Sequence, residues 1–135
     1  MDKVDHIGIA VNDVEEVARF YSEALGVETS EPEYLEAEGV KLVFLPKNSG
    51  LIELLEPVSE TSAIKKFLEN RGEGMHHICF EVADIEAAMR QVAAFGAQLI
   101  DEKPRIGRGG MRLAFVHPKS AHGVLIELLE NKKGE

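Results

Sequence analysis

Apolar residues alternate with small or polar ones along His6-Ile-Gly-Ile-Ala-Val-Asn-Asp13. The same alternation returns 71 residues later in His77-Ile-Cys-Phe-Glu-Val-Ala-Asp84. A period of two predicts strands. Ile7, Ile9 and Val11 share one face and His6, Gly8 and Ala10 the other, as Ile78, Phe80 and Val82 oppose His77, Cys79 and Glu81. The branched faces are expected to pack under helices, and the His6 face to leave room for a ligand. Beyond each strand the period changes to three and four. Val14, Val17, Ala18, Tyr21 and Leu25 form one apolar stripe, and Ile85, Ala88, Met89, Val92 and Phe95 another, which predicts two amphipathic helices. Asp13 and Asp84 stand at their N-caps, with Glu16 at capping-box spacing from Asp13, and Gly26 and Gly96 supply left-handed stops.

Extended segments follow each helix, roughly 27–35, 40–45 and 51–55, then 98–101, 111–116 and 124–129. Each half therefore reads βαβββ. A short helix over Ala63-Ile-Lys-Lys-Phe-Leu-Glu-Asn70, ending at Arg71-Gly72, joins them. The expected fold is α+β: two paired βαβββ modules, about 4–57 and 75–130, form a curved mixed sheet around a cleft. With the linker at about 59–71 they make one domain over 1–135.

The motif Leu-Ile-Glu-Leu-Leu occurs twice, at 51–55 and 125–129, each time with a carboxylate inside an apolar run. An ionised carboxylate in such a strand costs several kcal/mol unless it is paired or bound to a metal. His6 and His77 are repeat partners, as are Glu53 and Glu127. Two imidazoles and two carboxylates suit a divalent transition metal and offset its charge. Each residue alone has an ordinary structural explanation, a satisfied strand histidine or an edge glutamate; their joint repetition is what favours metal ligation. His76, His117 and His122 lack repeat partners and are expected to be structural or solvent-facing, with a substrate contact open to His117 beside Lys119. Cys79 has no visible relay to make it a nucleophile. Gly107–Gly110 lacks a strand-to-helix phosphate-loop layout and is expected to be a flexible loop bordering the site.

Composition narrows the classes. A net charge of −9 argues against nucleic-acid binding. No apolar run approaches the ~20 residues that a membrane helix needs, the N-terminus lacks a signal-peptide plan, and one cysteine suits a reducing cytoplasm. The 17 residues 103–119 nevertheless hold five of the fifteen Lys and Arg (Lys103, Arg105, Arg108, Arg112 and Lys119) and no acid, a local anion-attracting patch or a solvated loop.

The segments DHIGIAVxD, GxHHICFEVxD and HPKxxxGxLIEL together resemble the vicinal oxygen chelate superfamily over about Val4 to Glu130. Within it they are most similar to the methylmalonyl-CoA epimerases and next to glyoxalase I. The resemblance implies the paired fold, a homodimer, a CoA-thioester substrate, and one divalent ion (Co2+ first, with Zn2+, Ni2+ or Mn2+ acceptable) at His6, Glu53, His77 and Glu127. It implies interconversion of (2R)- and (2S)-methylmalonyl-CoA. Given that reaction, the pseudo-twofold relation of Glu53 and Glu127 makes them the expected two bases, and the basic patch is expected to attract CoA phosphates. Two departures stand out: Glu53 occupies a place where some epimerases carry Gln, and Lys41 follows Gly39-Val40 where some relatives offer an acid. A glyoxalase I-type lyase and a metal-free binding protein of the same fold are the alternatives; a fourth protein ligand argues against extradiol dioxygenases.

Overall fold

The computed structural model describes residues 3–131. It divides into two compact units, residues 6–76 and residues 3–5 with 77–131, so that the first strand, β1 (Lys3–Ala10), runs from one into the other.

The first unit continues with α1 (Val14–Arg19), which passes into a π-helical segment Phe20–Ala24. It then forms β2 (Glu33–Leu35), β3 (Val40–Leu45), β4 (Ile52–Pro57) and α2 (Ala63–Arg71). Its strands lie in the order β2-β3-β4-β1, with β1 parallel to β4 and the rest antiparallel. Val14 and Ala18 of α1 pack on Val11, Val43, Leu45 and Leu54, with Ile9 at the margin, as the alternation of β1 predicts. Complete burial of a Leu or Val side chain contributes about 1.5–3 kcal/mol, so Leu54→Ala should weaken this layer most directly.

The opposite face is less open than expected. Ala10, Val40, Leu42 and Leu55 are covered by Ile64, Phe67 and Leu68 of α2, whose N-cap Ser62 accepts the Ile64 N–H at 3.1 Å. The linking helix is thus a second layer, because its apolar residues recur at three- and four-residue steps and need a partner.

The second unit contains β5 (Gly74–Val82), which begins within the first unit's last residues, α3 (Ile85–Phe95), β6 (Arg105–Ile106), β7 (Arg112–Val116) and β8 (Leu125–Glu130). The order is β5-β8-β7-β6, again with one parallel pair, β5 beside β8. Ile85, Ala88 and Met89 of α3 pack on Val82, Ala114, Val116 and Leu128. Cys79, Leu113 and Leu129 form a smaller cluster with Met111 and Phe115. Lys3 of β1 pairs with Glu81 of β5 at 3.5 Å. Both units are therefore βαβββ modules.

Several boundaries differ from the sequence reading. Leu25 is 57% exposed and Phe95 89%, because the last turns overhang the sheets they serve. The second segment of each module is mostly not strand. Ser30 donates its N–H to the Phe44 carbonyl but takes the Phe44 N–H on its own Oγ, at 2.8 Å, which interrupts the ladder. Likewise Asp101 Oδ2 takes the Phe115 N–H at 2.8 Å, leaving an isolated bridge between Leu99 and Val116. Strand β6 forms instead at Arg105–Ile106, against Leu113 and Arg112. Arg108–Gly110 is a 3-10 turn, and the Gly107 N–H is bound to the Met111 carbonyl. A Cβ on Gly107 would meet the Cδ2 methyl of Leu113, so a larger residue there would require Leu113 to shift.

Candidate metal and catalytic site

The parallel strand pair of each module brings one histidine to one glutamate. In the first unit Gly8 of β1 is the register partner of Glu53 on β4, which sets His6 two residues earlier on the same face. His6 Nδ1 lies 3.4 Å from Glu53 Oε2. In the second unit Cys79 of β5 is the partner of Glu127 on β8, and His77 Nε2 lies 3.1 Å from Glu127 Oε1. His6, His77 and Glu127 are buried, and the Glu53 side chain is 17% exposed.

Each glutamate has equivalent neighbours. Glu53 lies between Gly8 and Phe44, and Glu127 between Cys79 and Phe115. The His77 and Phe115 rings meet edge to face at 6.2 Å. Buried Cys79 sits in the apolar cluster with Leu113 and Leu129.

The donor chemistry fits a divalent ion. With metal–ligand bonds of about 2.0–2.2 Å, two ligand atoms lie about 3.3–3.6 Å apart at a tetrahedral angle and about 2.8–3.1 Å apart at a right angle. The two His–Glu separations fall in these ranges. Carboxylate also accepts a hydrogen bond from imidazole, the arrangement that a protonated histidine would adopt in either pair.

A second pair of glutamates was missed in the sequence. Glu56 Oε1 accepts the N–H of Val14, the first residue of α1, at 2.8 Å; Glu130 Oε2 accepts the N–H of Ile85, the first residue of α3, at 3.0 Å. The repeated motif was in fact six residues long, ending in Glu56 and Glu130, and that sixth position was the available signal. These acids satisfy helix N-termini beside the caps of Asp13, which accepts from Glu15 and Glu16, and Asp84, which accepts from Ala87.

The basic segment is not uniform. Arg112 is bound to buried Glu130 and lies 3.8 Å from Glu86, and the Glu130 hydrogen bond raises its pKa. Arg105 is held through Nε by Asp101, with its guanidinium 5.1 Å from the centre of the Phe115 ring. Lys103, Arg108 and Lys119 are exposed. In the first unit Lys41 pairs with Glu15 at 3.1 Å, the counterpart of Arg112 with Glu86. His76 packs edge-on against Phe67, His117 Nδ1 accepts the Lys119 N–H, and His122 is exposed. Among the described residues no helix is long and apolar enough to cross a membrane.

A model of the Glyoxalase/Bleomycin resistance protein/Dioxygenase superfamily matches residues 5–115. The ethylmalonyl-CoA/methylmalonyl-CoA epimerase of Cereibacter sphaeroides is 41% identical over 128 residues, 93% of this chain and 96% of that protein. A crystal structure of a hypothetical protein from Bacillus halodurans C-125 is 46% identical and has a TM-score of 0.90, covering 97% of this chain and 95% of that one. A variant of Streptomyces coelicolor methylmalonyl-CoA epimerase, in complex with 2-nitronate-propionyl-CoA, is 38% identical with a TM-score of 0.84, covering 96% and 97%.

Proposed function

The chain belongs to the glyoxalase/bleomycin resistance protein/dioxygenase superfamily, and from that premise we propose that it is a metal-dependent epimerase interconverting (2R)- and (2S)-methylmalonyl-CoA. The observation that carries this reading is the repeated His–Glu pair, His6 with Glu53 and His77 with Glu127. All four side chains would hold one divalent ion, Co2+ first by family resemblance. Bound there, it would supply positive charge to offset the negative charge that develops on the thioester oxygen.

The C2 proton is acidified by the thioester carbonyl and opposed by the neighbouring carboxylate. Epimerisation takes that proton from one face and returns one to the other. Glu53 and Glu127 come from opposite modules and serve as the two bases, each contributing about 10²–10⁴-fold. His6 and His77 orient them. Phe44 and Phe115 are the cross-strand neighbours of the two carboxylates. The acid that some relatives offer after the Gly-Val step is replaced by Lys41, which pairs with Glu15, so a base role is not carried over to that position. The reading includes a homodimer and a cytoplasmic location, the latter supported by a single, buried thiol.

The test is a pair of assays on metal-replaced protein. Epimerisation of methylmalonyl-CoA, followed as deuterium exchange at C2, is expected; turnover of a glutathione hemithioacetal instead would reassign the same four residues to a glyoxalase I-type lyase.

A further inference from the structure

Arg105 is held at Nε by an acid that also secures the neighbouring strand. Asp101, whose side chain is 9% exposed, uses one carboxylate oxygen for the Phe115 N–H and the other for Arg105 Nε. The first module pins its equivalent strand without an acid. There Ser30 alone donates to the Phe44 carbonyl and accepts the Phe44 N–H. In the second module Ile100 donates to the Phe115 carbonyl, and Asp101 accepts from Phe115. A hydroxyl is enough to hold the strand; the additional consequence of a carboxylate is a captured arginine.

That arginine lies over Phe115, the register partner of Glu127, and the Phe115 ring meets the edge of His77. Asp101 occupies Nε, and the two Nη groups present the planar fork that matches a carboxylate or phosphate. At 46% exposure the Arg105 side chain can be reached by an anion from solution. Arg112, by contrast, is committed to Glu130 and Glu86. In a chain of net charge −9, capture of an anionic substrate depends on such local cations.

We infer that Arg105, held by Asp101 across the Phe115 ring, is a specificity-determining residue that receives an anionic group of the substrate beside the His77–Glu127 pair; Asp101 is its positioning residue. This rests on the reading of the protein as a CoA-thioester epimerase. The anion is the C2 carboxylate or a CoA phosphate, and the substrates chosen below separate the two.

The experiment compares wild type with Arg105→Gln, Asp101→Asn and, as a charge control, Arg90→Gln on the exposed side of α3, using methylmalonyl-CoA and methylmalonyl-pantetheine, which lacks the nucleotide phosphates. Arg105→Gln should raise KM for methylmalonyl-CoA about 3–10-fold with kcat within about twofold, the pattern of lost uniform binding. Asp101→Asn keeps an acceptor for the Phe115 N–H and should raise KM less, without a change in Tm. Arg90→Gln should change neither constant. A KM penalty kept with methylmalonyl-pantetheine identifies the carboxylate as the anion; a penalty that disappears identifies the phosphates. Unchanged KM in Arg105→Gln, or an equal rise in Arg90→Gln, overturns the inference. Absence of turnover by wild type would defeat the epimerase reading instead. Calorimetry with CoA and with methylmalonate then decides the role of Arg105: weaker binding of either anion by Arg105→Gln than by wild type supports it, and equal or absent binding ends it.

Discussion

Arg112 and Glu130 form a two-point pair, Nε to Oε1 at 3.1 Å and Nη2 to Oε2 at 3.0 Å, and the same carboxylate accepts the first N–H of α3. One buried side chain thereby ties β7, β8 and α3 together. Glu56 makes the matching helix contact in the first unit from a more exposed position.

Removing Glu130 should therefore cost more than removing Glu56. Glu130→Ala leaves the Ile85 N–H without its acceptor and should lower stability by about 1–3 kcal/mol. Glu56→Ala should cost about 0.5–2 kcal/mol, the range for a lost helix cap. Urea unfolding of both variants checks the order. Equal losses would show that burial and the arginine add nothing to the cap.

Metal content should follow the paired histidines. His6→Ala and His77→Ala should each lose most of the bound divalent ion after desalting, whereas His76→Ala, whose ring packs on Phe67, should retain it. Elemental analysis of the three proteins is the measurement. Wild-type metal content in His77→Ala would remove that residue from the ligand set.

The carboxylates separate coordination from proton transfer. Glu53→Gln and Glu127→Gln keep an amide oxygen that can still coordinate, yet neither can take a proton. Each should retain some metal while deuterium exchange at C2 falls about 10²–10⁴-fold. Full epimerase activity in Glu53→Gln would make Glu53 a ligand only and leave Glu127 in need of another partner.

Lys41 gives a prediction in alkali. Its hydrogen bond to Glu15, aided by the charge of Glu15 and opposed by desolvation, raises its pKa above the ordinary 10.5. A raised folded-state pKa contributes stability that is complete below the unfolded value and fades as pH climbs through the folded one. The stability difference between wild type and Lys41→Gln should thus stay constant from about pH 7 to 9 and shrink above 10.5. Urea midpoints across that range report it. A difference that grew with pH would mean that the pair is not what stabilises the ammonium.

The modules and their histidine–glutamate pairs were legible because two independent periods agreed. Strand alternation placed His6 and His77 on equivalent faces, and the duplicated motif placed Glu53 and Glu127 beside them. The short second strands were not legible: Ser30 and Asp101 use side chains to accept a bond that a backbone carbonyl would otherwise take, and residue type alone does not announce that substitution. Nor was the cover over Ala10, since a linking helix carries no sign of which face it will protect. Glu56 and Glu130 follow apolar runs, where an acid normally meets solvent, so only their repetition pointed to a helix-capping role.

The π-helical segment has a consequence for how the two halves diverged. Thirteen residues carry the chain from Asp13 to Gly26, and twelve from Asp84 to Gly96. The counts agree as far as Tyr21, which packs beside Val14 and Leu54 as Val92 packs beside Ile85 and Leu128. The extra residue falls between Tyr21 and Gly26, where the turn Phe20–Ala24 is widened and Phe20 is 54% exposed. An inserted codon in an ordinary helix would rotate every later side chain by about 100° and misplace the chain that follows. Here the difference lies beyond the residues that face the core, Val14, Ala18 and Tyr21, whose counterparts are Ile85, Met89 and Val92. The two helices therefore keep one core-facing phase as far as Tyr21 and Val92, and the difference in residue count is confined to a stretch that ends at exposed Leu25.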